Sequence, residues 1–423
     1  MMKAAEKGWL DLYLESRKDA LRELTSRVKH AAHPEQSLYR VIQPTGLMYG
    51  QSIDPLDLNG SLPRAPKERM KVLLAESLIS SSLLFHDKPI RNPEELSAVI
   101  SKTLENIGNF YNHVFPELAT SPKTLFGRKK SAVELAERIL DKRIELAGEQ
   151  DSNFWVRFFH NSLLFLDIFI FGQWIHTNAD RIVADFFKYE REELRFSVVK
   201  VMAAATHANS TIEPEERSLL EFFLQSAGLP AEKRKEAKRI FEAGIDIEEI
   251  NIPTNNSWIL KKFFLEIAIL TTWSDKKVEA SEQEFLKRLC HYMGFNDDDL
   301  ENSLMAIEGF VLEHWSDLDY LQNKQNFQQL SDQFLKRLSR IVEKNKVRLV
   351  KEVQDNAELM SFIKKSNAGA LSDEEKEQMQ RLLIGALRTI PTFVIISLPQ
   401  RFLTLPILLK ILPASFFTDV HKR

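Results

Sequence analysis

The chain repeats itself at an offset of 66 residues, and that repeat narrows the fold more than any other feature. Ile212-Glu213-Pro214-Glu215-Glu216 aligns with Val278-Glu279-Ala280-Ser281-Glu282. Leu219 then meets Phe285, Leu220 meets Leu286, Phe223 meets Leu289, Leu224 meets Cys290, and Gly228-Leu229 meets Gly294-Phe295. Upstream, Val198 and Val201 fall on Phe264 and Ile267. Each copy spells an apolar helix, a polar corner, an amphipathic helix and a glycine stop. Two copies of such a unit can pack as a pair and share a core. The expected fold is therefore all-α, a multi-helical array around a tandem helical repeat. Composition agrees: 14 glycines and 28 phenylalanines in 423 residues suit helix packing better than turn-rich sheets.

A net charge of −3 lacks the basic footprint of a nucleic-acid binder held by phosphate contacts, so no DNA partner is expected. One cysteine excludes an intrachain disulfide and a thiolate metal cluster, and fits a reducing compartment. Cys290 takes a core slot held by Leu in the other copy, so a buried structural thiol is expected. No GxGxxG, P-loop, HExxH or GxSxG spacing occurs, and the ten histidines are scattered. The chain reads as a non-enzyme.

Along the chain, 1–130 reads as an N-terminal helical region, with a helix over 9–30 and a long irregular loop over 33–66 punctuated by Pro and Gly. Charges at Lys3, Glu6, Lys7 and Asp11 leave no room for a secretory leader's apolar core. Region 131–194 carries an apolar helix, Leu163 to Phe171 covering every face with only Asp167 interrupting. The stretch from Ser162 to Ile175 gives ~21 Å of helix against a ~30 Å bilayer core. A buried central helix is expected there, with a membrane-dipping one as the alternative. Repeats over 195–315, a long helix within 316–370 (residues 326–365) and a distinct segment over 371–423 complete the division.

The repeat corners hold oxygen-bearing side chains. Asp275 precedes Glu282 by seven residues, and Asn209 and Glu216 hold the same places in the first copy. Such groups could ligate a hard divalent cation, the one cofactor the residues suggest. The plainer reading has them capping orphan amides at the helix starts. The corners Ala208-Asn209-Ser210 and Ser274-Asp275-Lys276 resemble those of the tellurite-resistance TerB family, whose glycine is absent from both and whose Asp is absent from the first. That resemblance implies a helical fold with metal-linked or stress-linked roles.

The end of the chain differs in kind. No acidic residue lies between Glu377 and Asp419, and prolines fall at Pro391, Pro399, Pro406 and Pro413 in an apolar text. From Gln378 on, six Lys/Arg stand against one Asp, a local +5, so the preceding 377 residues carry −8. The phased prolines, with Lys410 between the last two, resemble the membrane segment of the Letm family of leucine-zipper, EF-hand-containing transmembrane proteins and its biofilm-associated bacterial relatives. The resemblance implies inner-membrane association, cation/proton exchange and ribosome binding. The acidic residue of the family's segment is replaced by Gln400-Arg401-Phe402, and the downstream ribosome-binding domain has no counterpart. The expectation is a membrane-associated helical interaction or sensing module on the cytoplasmic side of the inner membrane, meeting anionic lipid headgroups and a protein partner, in envelope or ion homeostasis or biofilm physiology. The alternatives are a cation/proton transport component, and a soluble scaffold with its C-terminal segment inside the core.

Overall fold

The computed structural model describes residues 8–28, 34–43, 47–49, 65–86, 88–121, 129–148, 154–176, 181–209, 212, 214–250, 257–272, 280–317, 324–367, 371–413 and 415–416. Among them the protein is all-α, with no β-strand. It divides into two compact units, the first running to Met293 and the second starting at Gly294. The division falls inside the 195–315 stretch.

The first unit contains α1 (Trp9–Val28), α2 (Pro34–Ile42), α3 (Pro66–Leu84), α4 (Pro93–Val114), α5 (Ala132–Gly148) and α6 (Phe154–Trp174). It continues with α7 (Arg181–Thr206), α8 (Pro214–Ser226), α9 (Ala231–Ala243), α10 (Trp258–Thr272) and α11 (Ala280–Tyr292). The offset of 66 recurs in these bounds: α8 and α11 start and stop in register, and α7 and α10 end in register. Gly228 and Gly294 adopt φ of +58° and +80°, the left-handed stop that glycine takes without steric cost. α10 packs along α7, so the two apolar helices of the repeat share one core.

The centre of the first unit is α6, packed by α3, α5, α7 and α8. Leu164, Phe165, Ile168, Ile170 and Phe171 have no solvent exposure. Phe165 stacks on Phe263 of α10 at 4.6 Å. The expected buried helix is thus present, and no helix of the described residues is long and apolar enough to cross a membrane. Its single acid is paired. Arg143 Nε of α5 donates to Asp167 Oδ2 at 2.6 Å and the Tyr111 hydroxyl of α4 donates to the same oxygen at 3.2 Å. Asp167 and Arg143 are 1% and 6% exposed. Burial and the Asp167 charge hold the Tyr111 hydroxyl well above the usual phenol range, so it stays a donor.

The stretch 33–66, expected as irregular loop, contains α2, with Pro34 at its first position where a missing N–H costs nothing. Glu35 of α2 accepts from Ser257 Oγ and Trp258 N at 2.6 Å each, capping the start of α10 and complementing its dipole. One turn later the Tyr39 hydroxyl donates to Glu266 at 2.6 Å.

The second unit contains α12 (Asp297–Glu313), α13 (Lys324–Lys344), α14 (Lys346–Asp355), α15 (Ala357–Asn367), α16 (Asp373–Leu387), α17 (Pro391–Ile395) and α18 (Leu405–Ile411). The single long helix expected over 326–365 is divided at Asn345 and Asn356. Asn356 takes an extended backbone and its Oδ1 accepts from Leu359 N at 2.9 Å, capping α15 instead of continuing α14. Ser372 and Glu375 form a capping box at the start of α16.

The C-terminal segment folds into this unit. Its prolines start or follow short helices rather than kinking a long one: Pro391 and Pro406 sit in the first turns of α17 and α18, and Pro413 follows α18. Leu398, Leu403 and Leu408 are at most 1% exposed. Pro399 is buried too, and Gly309 of α12 leaves it room: a Cβ on Gly309 would lie 3.4 Å from Pro399 Cδ and 3.3 Å from Phe334. Phe402 packs edge-on to Phe334 and Phe327 at 5.8 and 6.1 Å. Pro391, Arg401, Pro406 and Lys410 face solvent, Pro413 is half-buried, and the Arg401 backbone N–H donates to Glu313 at 2.9 Å.

Glu308 of α12 is 1% exposed and accepts from Arg337 Nε of α13 at 3.3 Å. Burial pushes its carboxyl up to about 7 against the pull of Arg337, which also pairs with Glu301. A folded pKa above the unfolded one means the native state binds the extra proton between about 4.5 and 7. The second unit is therefore expected to be most stable below that window and to lose stability as pH rises through about 7. Thermal melts of the wild-type chain and Glu308→Gln between pH 4.5 and 8 check this; an identical slope in both would sink it.

Candidate functional site

The end of α7, the connection after α9 and one face of α11 border a cavity of about 560 Å³ in the first unit, within the range of sites that hold a ligand or a few side chains. Three elements wall it. The first is the turn His207–Asn209 that ends α7. His207 Nε2–H donates to the Phe241 carbonyl at 2.7 Å, tying the end of α7 to α9. A carbonyl only accepts, so in the neutral ring the lone pair lies on Nδ1.

The second wall follows α9. Gly244 has φ +78° and ψ 168°, a conformation in which other residues are strained. A Cβ there would stand 3.0 Å from the His207 ring, so glycine also permits the close approach. The chain then turns through Asp246 into a 3-10 turn, Ile247–Glu249, whose Ile247 is buried while Asp246 and Glu249 face solvent. The third wall is one face of α11: Ser281, Glu284, Phe285 and Arg288 fall at i, i+3, i+4 and i+7. Phe285 is 8% exposed and the other three are exposed. Ala204, Ile247 and Phe285 are buried apolar residues of its lining, while the charged lining residues are exposed, which sets an apolar floor against a charged rim. Among the described residues, the side chains of Asp246, Glu249, Glu284 and Arg288 form no hydrogen bond or ion pair with another group.

Two of the four candidate ligands from the sequence are placed outside this cavity. Glu216 and Glu282, in the first turns of α8 and α11, are 1% and 0% exposed and do not line it. Asn209 closes the turn after α7, and Asp275 lies outside the described residues. No group of three His, Cys, Asp or Glu among the described residues could hold a metal ion. Cys290 is fully buried. The middle wall, 243–249, was not singled out in the sequence because it lies between the two copies; the signal available was Gly244 directly after a helical run.

Comparison with known proteins turns the reading. The Co-chaperone protein DjlA of Vibrio cholerae is 28% identical over 128 residues, 28% of this chain and 45% of that protein. The protein of the same name from Vibrio vulnificus is 28% identical over 126 residues, 28% and 44% of the two chains. That of Vibrio parahaemolyticus is 26% identical over 133 residues, 29% and 47%. The chain resembles co-chaperones. It covers under half the length of these curated relatives. No protein-family model matches the chain, and no solved structure does.

These findings correct the family assignments made from short motifs. The Letm and TerB resemblances are not upheld, nor are the biofilm and ion-homeostasis roles drawn from the first; the curated relatives are co-chaperones. Four phased prolines in an apolar run satisfy a membrane segment and a set of proline-started short helices equally well. The structure has the second. The TerB match rested on a corner motif whose glycine was already missing from both copies.

Proposed function

We propose that this chain is a non-enzymatic interaction module that acts with a chaperone, binding its protein partner at the corner cavity of the first unit. The observation that carries the reading is the likeness to proteins named as co-chaperones, at 26–28% identity over more than 120 residues. The cavity supports it: its floor is apolar, its rim is charged, and its walls are fixed by Gly244 and the His207–Phe241 bond, as suits a site that grips a segment of another protein.

The test is chaperone-dependent refolding of denatured luciferase by a purified ATP-dependent bacterial chaperone system. Adding the chain is expected to change the refolding rate at least twofold. Ser281→Trp, an exposed substitution that fills the cavity mouth, is expected to remove the effect without unfolding the protein. Refolding that ignores the wild-type chain at every concentration overturns the co-chaperone reading. An effect kept in full by Ser281→Trp moves the binding site away from the cavity.

A further inference from the structure

Among the described residues, the corner cavity is rich in acceptors and poor in donors. Asp246, Glu249 and Glu284 bring three carboxylates from two walls, against one guanidinium on Arg288. His207, with Nε2 committed to the Phe241 carbonyl, offers its other ring nitrogen as a further acceptor when neutral. None of the three carboxylates is neutralised by another described side chain. Beneath them lie Phe285, Ile247 and Ala204, apolar and at most 8% exposed. An acidic mouth over an apolar floor is complementary to a side chain with an aliphatic stem and a cationic head, which buries the stem and leaves the charge at the rim. The aromatic ring of Phe285 adds a surface on which a cation is favoured.

We propose that the cavity takes a lysine side chain, flanked by apolar residues, from an extended segment of the protein partner. This deepens the protein-binding reading and rests on it. An anionic or phosphorylated segment is disfavoured, because among the described lining residues it would meet three like charges and one opposite one. Specificity then comes from charge at the rim, while the floor contributes contact without discriminating between apolar neighbours.

The test is fluorescence anisotropy on the full chain with a fluorescein-labelled peptide, Gly-Leu-Lys-Leu-Gly, and two analogues carrying norleucine or glutamate at the centre. The lysine peptide is expected to bind at least tenfold more tightly than the norleucine peptide at low salt, with the gap narrowing as salt is raised. Asp246→Asn combined with Glu284→Gln, both exposed positions, should erase the gap while leaving norleucine binding unchanged; Ser281→Trp should weaken all three. Equal binding of lysine and norleucine peptides, a gap that survives the double variant, or no binding of the lysine peptide at millimolar concentration overturns the proposal. The refolding assay separates the two ideas. A chaperone effect without lysine preference rejects the lysine site alone. Lysine preference without a chaperone effect rejects the co-chaperone reading alone.

Discussion

Arg143→Met is expected to destabilise the first unit by about 3–5 kcal/mol, and Asp167→Leu by a similar amount, whereas the two together should cost far less than their sum. The reason lies in where the pair sits. Asp167 is on the all-apolar α6 at 1% exposure, and Arg143 reaches it from α5 at 2.6 Å. Either charge left alone keeps its desolvation penalty and loses the attraction that offset it. With both replaced by apolar groups of similar volume, neither penalty remains, and the Tyr111 hydroxyl is the one polar group of the trio left to satisfy. Urea unfolding followed by tryptophan fluorescence measures this for the right unit, since Trp9, Trp155, Trp174, Trp258 and Trp273 precede its boundary and only Trp315 follows. Additive single and double variants would show that the pair is not coupled.

Phe402→Ala should cost the second unit about 3–5 kcal/mol, the usual toll for emptying a buried aromatic site. Phe402 is 8% exposed and packs edge-on to Phe334 and Phe327. Its loss removes the anchor of the segment between α17 and α18. Arg401 and Lys410 are exposed, so trypsin reads the release of that segment directly: cleavage there should accelerate at least tenfold in Phe402→Ala. Val394→Ala, 52% exposed on the neighbouring α17, should change neither stability nor cleavage rate beyond a few tenths of a kcal/mol. Equal behaviour of the two variants would place the apolar side chains of this segment somewhere other than inside the unit.

Much of the architecture was legible because it repeats. The offset of 66 returned in the bounds of α8 and α11, and the glycines at its ends became left-handed stops. The buried character of α6 followed from an apolar run too short for a bilayer and broken by one acid. What supported that acid was not legible: Arg143 and Tyr111 lie 24 and 56 residues away, and no periodicity reports a contact at such range. The C-terminal prolines misled because a proline that opens a helix and one that bends it are the same letter. Only the packing of Pro399 against the bare Cα of Gly309 and the burial of Leu403 decide between them. The helix breaks at Asn345 and Asn356 were hidden under a continuous apolar stripe. The cavity was half legible. The end of α7 and the α11 face were marked by the repeat, while its middle wall came from the connection between the copies, where self-similarity carries no information.

The cap that Glu35 places on α10 has a consequence for synthesis. The residues it joins are 222 apart in the chain. At ribosomal speeds of about 5–20 residues per second, α2 leaves the tunnel roughly 10–45 s before its partner helix exists. Throughout that wait α2, whose Leu38 and Ile42 are buried in the finished unit, has no α10 to pack against. Nascent-chain order thus makes the first unit a late-closing one, completed only when its second apolar repeat helix emerges.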